Sequence, residues 1–213
     1  MTRSLSMKMA ITIALVFIAF LSIFVAWVAT TLRADLFSNR RDLVLEDASV
    51  RFGQMQAALE RSTASTPDQV QEVVTQSLNS ISESAAGAGA VGVLLLCSPE
   101  AEPAFRINEY ISADHEHLVT EQFRNSLSLE EGIWQSVALD QGGQEVPGIL
   151  VGALVEIPLA GVYEMAVVYS LAAEQQTLST VLRVLAMGAV PVLLVMGAFT
   201  FFLVYRQMRP VRA

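Results

Sequence analysis

MAITIALVFIAFLSIFVAWVATTL, residues 9–32, and VLAMGAVPVLLVMGAFTFFLVY, residues 184–205, decide how this chain is organised. Neither run carries a charged residue, and each exceeds the roughly 20 residues that cross a hydrocarbon core. The chain is 53% hydrophobic over 213 residues, more than one soluble core absorbs, and these runs hold the surplus. The first run follows a basic start, MTRSLSMK, as a secretory signal would. A signal's apolar core is about 7–15 residues long with a small-x-small cleavage site behind it. This run continues through Trp27 without a clean site, so an uncleaved helix is the better reading.

Charge sets the orientation, because Lys and Arg near span ends stay on the cytoplasmic side. Arg3 and Lys8 precede the first span, and Arg206, Arg209 and Arg212 follow the second. The segment between holds the other 8 of 13 basic residues and all 21 acidic ones, a net charge of 8 minus 21, or −13. The expected layout is a cytoplasmic N-terminus (1–8), a first span (9–32), an extracytoplasmic domain (33–183), a second span (184–205) and a cytoplasmic exit (206–213). Trp27 and Tyr205 then sit at the outer and inner interfaces, where amphipathic rings are favoured. An acidic outer domain argues against nucleic acid as a partner. Cys97 is the sole cysteine, so no intramolecular disulfide is available, and a buried strand position suits it.

Past Leu32 a helical rhythm persists, with Leu36, Leu43, Val50 and Ala57 seven apart and Phe37, Val44 and Ala58 beside them. No Gly or Pro interrupts Leu32 to Phe52, so the first span is expected to run straight into a long amphipathic helix. STASTPDQ reads as a break and a restart, with Thr66 as N-cap, Pro67 at the first helical position and Gln69 closing a capping box. Val70, Val73, Val74, Leu78 and Ile81 share a face of the helix that follows, and GAGA at Gly87 to Ala90 ends it. Val91 to Cys97 is a buried-strand run; Phe105 to Ile111 is a further strand; Leu118, Phe123 and Leu127 mark a short helix. Ile133, Val137 and Leu139 alternate, QGGQ (Gln141 to Gln144) is a hairpin turn, Ile149 to Ile157 returns, and Tyr163 to Tyr169 adds another strand. The order predicts an α+β domain, two long helices packed on a mixed antiparallel sheet of about five strands. From Leu171 the pattern (Leu171, Leu178, Leu182, Leu185) is helical again and enters the second span without a breaker.

Candidate chemistry is sparse. Asp114, His115, Glu116 and His117 form the one cluster, but on a helix the two imidazoles point about 200° apart, unlike an i, i+4 metal pair. His115-Glu116 is also the start of a kinase phosphoacceptor pattern, yet it lies outside the membrane and lacks the following Arg, Thr and Pro. No phosphate loop, catalytic triad or Cys/His metal spacing is present, so neither catalytic, cofactor nor metal residues are assigned. Gly188, Pro191 and Gly197 permit a kink or a close helix contact in the second span, and Pro191 is a candidate transmission residue.

GVYEMAVVYSLAAEQQTLSTVLRVLAMGAVPVLLVMGAFTFFLVYRQMRPVRA, residues 161–213, resembles the sensor-to-membrane region of actinobacterial MtrB-type sensor histidine kinases. LAAEQQTL at Leu171 to Leu178 and the exit RQMRPVRA carry the likeness, the latter resembling the start of a HAMP linker at Pro210. The resemblance implies a homodimeric receptor with a PAS-like or PDC-like outer domain that moves the membrane helices. Leu36, Leu43, Val50, Leu178, Leu182, Pro191 and Pro210 are the candidate transmission residues. It further implies a HAMP relay to a kinase portion using ATP and Mg, a cytoplasmic response regulator, and an envelope protein or lipoprotein as possible partner. The chain stops before any phosphoacceptor helix, which leaves three expectations: the input module of a sensor kinase, the input module of another HAMP-coupled receptor, or a membrane-tethered envelope protein without an enzyme.

Overall fold

The computed structural model describes residues 2–98, 106–112, 115–129 and 132–207. Along the chain run α1 (Thr2–Arg61), α2 (Pro67–Ala86), β1 (Ala90–Cys97), β2 (Tyr110–Ile111), a 3-10 turn (Glu116–Leu118), α3 (Glu121–Arg124), β3 (Ile133–Asp140), β4 (Glu145–Ile157), β5 (Gly161–Ser170) and α4 (Ala172–Gln207). The chain divides into two units: the helical ends, up to Leu36 and from Gln176, and the segment Phe37–Gln175.

In the first unit, α1 and α4 each contain a stretch long and apolar enough to cross a membrane. Leu15, Phe20, Ile23 and Trp27 on α1, and Val184, Met187, Leu194 and Phe199 on α4, are all exposed. A helix that is apolar on every side needs an apolar surrounding. Residues 9–32 and 184–205 lie inside α1 and α4, and neither helix is broken at those limits. Pro191 is within α4. Pro210, Arg209 and Arg212 lie outside the described residues.

The second unit is α+β. Its sheet has the order β2-β1-β5-β4-β3, the expected antiparallel sheet of about five strands, and every pairing is antiparallel with none of the mixed character the expectation allowed. β5 lies at the centre, with Val167 opposite Val93 on one side and Val151 on the other. Its residues from Tyr163 to Tyr169 are buried without alternation because both faces are covered. On one face α1 and α2 set Val44, Ala48, Met55, Val70, Val74 and Leu78 against Val93, Val151, Met165 and Val167. On the other, Leu118, Val119 and Phe123 cover Leu94, Leu96, Leu150 and Val168. Gly152 makes that second layer possible, since a Cβ there would stand 2.8 Å from Phe123 Cε1. Edge strand β3 alternates as its pattern predicts.

Local signals hold with adjustments. Thr66 occupies the N-cap of α2 in extended geometry but makes no side-chain cap bond. Gln69 instead accepts from the Ser65 amide at 3.0 Å, so half of the expected capping box forms, one residue early. Gln141 to Gln144 closes the β3–β4 hairpin, with Gly142 and Gly143 at φ 66° and 82° and the Gly143 amide bonded to Asp140 Oδ1 at 2.7 Å. The strand expected over Phe105 to Ile111 shrinks to Tyr110–Ile111; Arg106 to Glu109 are irregular and Phe105 is not described. Cys97 is in β1 as expected but half-buried, because it ends the strand.

Candidate functional site

The inward face of α1 is shifted one residue from the predicted stripe. Val44, Ala48, Met55 and Leu59 are buried, whereas Leu43 and Val50 are 58% and 49% exposed. Leu36 and Ala57 are half-buried. Two parallel apolar rows exist on this helix, and the row containing Val44 meets the sheet because it continues through Ala48, Met55 and Leu59 with a helical period. Among the remaining candidates, Leu178 and Leu182 are half-buried on α4 and Pro191 is exposed.

Charged residues interrupt the inward row. Arg40, Asp47 and Arg51 are spaced seven and four apart, which stacks them on one helix face. The Tyr169 hydroxyl, from the central strand, donates to Asp47 Oδ2 at 2.8 Å. Asp47 Oδ1 in turn accepts from Arg51 Nη2 at 2.7 Å, and Arg51 Nη1 donates to Ser84 Oγ at 3.0 Å. α1, α2 and β5 are thus joined by one chain of hydrogen bonds. Tyr169 is fully buried, and desolvation, reinforced by the bond to Asp47, pushes its phenol far above the usual range. It therefore remains a neutral donor throughout the physiological range.

Two turns before Asp47, Arg40 joins three elements. Its Nη2 donates to the Ala88 carbonyl at 2.6 Å, and its Nε lies 3.0 Å from Glu174 Oε1 in the first turn of α4. Gly89, at φ 88°, makes room for the guanidinium, since a Cβ there would collide with Nη2. Cationic charge beside the carbonyls that close α2 is favourable. Arg40 Nε and Glu174 Oε2 are buried without a well-formed hydrogen bond among the described residues. The ion pair is held by charge more than by saturated geometry.

On the opposite face of the sheet, Glu164 is 3% exposed and lies 3.1 Å from Arg124 Nη1 on α3. Burial raises its carboxyl above the ordinary range; Arg124 opposes this and Glu109 adds to it. Of the cluster singled out in the sequence, Glu116 and His117 belong to the 3-10 turn, His115 precedes it, and Asp114 lies outside the described residues.

A cavity of about 420 Å³ opens between α1 and the far half of β4. Phe52, Leu129 and Val155 supply apolar walls, and Ser49, Gln56 and Glu156 supply polar ones.

Sequence reasoning missed Arg40, Asp47, Arg51, Tyr169 and Glu174. The available signal was three charges falling in register with Val44, Ala48 and Met55 on what is otherwise an apolar face. No known family model matches this chain, and no curated protein is significantly similar to it.

Proposed function

We propose that this chain is the input module of a transmembrane receptor, a two-component sensor histidine kinase, that detects conditions at the cell envelope, osmotic ones included. In this reading residues 9–32 and 184–205 span the plasma membrane, both termini are cytoplasmic, and Phe37–Gln175 is the extracytoplasmic sensor, PAS-like or PDC-like in kind. The exit at Arg206 to Ala213 leads into a HAMP relay and a kinase portion that uses ATP and Mg to phosphorylate a response regulator. Leu43 and Val50, exposed seven residues apart on α1, suit packing against a second copy in the homodimer that this reading requires.

One observation carries the proposal. Arg40 and Glu174, from the two helices that continue into the apolar stretches, form an ion pair within the folded unit that also holds the sheet. A change in the packing of that unit alters the pair, and both helices leave from it. A signal that favours one packing by a few kcal/mol is enough to shift such an equilibrium.

The test is a one-residue insertion after Arg183 in the receptor, which rotates everything beyond it by about 100° relative to the sensor. The expected result is an altered kinase output at constant expression. Output equal to the parent's removes the proposal of rigid helical transmission.

A further inference from the structure

The sheet ends in β2 at one edge and in β3 at the other. β2 is two residues long, whereas β3 runs for eight, Ile133–Asp140, and pairs with β4 in unbroken register. Short strands, prolines, lysines and bulges are the usual means of keeping an edge from pairing with another chain, and β3 has none of them.

The hairpin fixes which backbone groups of β3 point outward. Gln141 and Gln144 exchange both of their backbone bonds, so in an antiparallel ladder Leu139, Val137, Gln135 and Ile133 are the residues that bond to β4. The amides and carbonyls of Trp134, Ser136, Ala138 and Asp140 therefore face away from the sheet. Pro147, opposite Ala138, has no amide to give, and its carbonyl is taken by Leu171, as this alternation requires. Among the described residues none of these outward groups has a backbone partner. All four side chains are exposed, and Ser136 and Ala138 are small. An extended segment laid along β3 would take up these bonds as an added strand.

The hairpin end of the strand indicates the charge of that segment. Asp140 and Glu145 are directly opposite one another, both are exposed, and neither forms an ion pair among the described residues. Like charges so placed destabilise a hairpin, and a cation beside them relieves the repulsion. β3 itself has no basic residue to offer. Two β3 strands paired antiparallel would also be related by a two-fold axis perpendicular to the sheet. That axis reverses α1, which packs along the sheet face through Val44, Ala48 and Met55. Copies that share one membrane have α1 running the same way, so a second copy does not fit this edge.

We propose that β3 is a docking edge for an extended segment of another protein, added antiparallel, with a lysine or arginine against Asp140 and Glu145. The exclusion of a second copy rests on the membrane reading of the receptor. The open edge does not, and peptide binding needs no kinase output, so the two can fail separately.

The probe is the end-capped peptide Lys-Val-Thr-Val-Thr-Val-Thr, titrated calorimetrically into the full chain in lipid nanodiscs, with empty nanodiscs as the reference. In the proposed register its lysine lies opposite Asp140 and its last threonine opposite Trp134. Saturable binding of one peptide per chain is expected. Ser136→Pro deletes an outward amide and leaves the ladder to β4 intact, so binding should weaken about tenfold with a melting temperature close to the parent's. N-methylation of the first two threonines, whose amides face β3, is expected to abolish binding, whereas N-methylation of the first two valines, whose amides face away, leaves it unchanged. The reversed sequence Thr-Val-Thr-Val-Thr-Val-Lys should bind about threefold more weakly, a difference that disappears when Asp140→Asn and Glu145→Gln are combined. Absence of saturable binding overturns the docking edge, as does binding that survives both Ser136→Pro and threonine N-methylation. Equal affinity of the two sequences for the parent overturns the basic contact. A disulfide dimer formed through Val137→Cys on a Cys97→Ser background, at the point where two β3 strands would meet on their two-fold axis, makes the occupant a second copy and overturns the assignment to another protein.

Discussion

Tyr169, one residue before the end of the central strand, donates to Asp47 on α1 at 2.8 Å, a polar tie within a largely apolar layer. Asp47 holds Arg51 with its other oxygen, so the tyrosine anchors a string of three residues that ends on α2. Removing the hydroxyl in Tyr169→Phe leaves the half-buried Asp47 Oδ2 with only the long 3.4 Å contact from Arg51 Nε. A loss of about 1–2 kcal/mol is expected in reversible thermal or chemical unfolding of the purified protein. Tyr169→Phe combined with Asp47→Ala should cost less than the sum of the two single changes, because they share one interaction.

Arg40→Gln removes the charge beside Glu174 and the strong donor to Ala88. Amide hydrogen exchange is expected to quicken at Gly89 and over Ala172–Gln175, with little change in β3. Glu174→Gln should produce the α4 part of that effect alone. Its cost is smaller, on the order of 1 kcal/mol or less, as for other partly exposed ion pairs.

Glu164 predicts a pH dependence with a definite sign. Its folded carboxyl is raised above the unfolded value, so the native state holds the proton more tightly. This group's contribution is therefore fully present below the ordinary carboxylate range and is lost as pH rises through its raised folded value. Glu164→Gln should flatten that fall, leaving the variant at least as stable as the parent at neutral pH. Unfolding midpoints across the acidic to neutral range measure it, and an unchanged slope in the variant would assign the dependence elsewhere.

Leu159, in the β4–β5 turn, has φ 67° and is 52% exposed. A branched residue in the left-handed region is strained by roughly 1–2 kcal/mol. Leu159→Asn is expected to stabilise the domain by part of that amount, read as a raised melting temperature.

Topology is open to labelling. On a Cys97→Ser background, a cysteine at exposed Ser80 should react with a membrane-impermeant maleimide in intact cells. A cysteine at Ser4 should react only after permeabilisation. The reverse pattern would invert the proposed orientation.

Periodicity and turn chemistry made most of the architecture legible. The apolar run Val91 to Cys97, the alternation of Ile133, Val137 and Leu139, and the Gly142-Gly143 turn each fix a local conformation without help from distant residues. The faces were harder. Leu43 and Val44 are adjacent and equally apolar, and which one turns inward depends on how α1 meets the sheet. The polar seam was harder still, because Arg40 and Glu174 are brought together only by the closing of β5 against β1 and β4. Glu164 is the one charged residue of an apolar strand, and its burial follows from α3 covering the second face.

β5 connects to α4 through Leu171 alone, and its ladder is shared with β1 on one side and β4 on the other. Pulling on α4 along the strand direction would load both rows of ladder bonds in shear, all at once, rather than opening them one by one. Leu171 adds a further fastening, its amide bonded to the Pro147 carbonyl at 2.8 Å. Tension on that helix would thus be met by the stiffest part of the sheet, whereas the two-residue strand β2 at its rim would feel little of it.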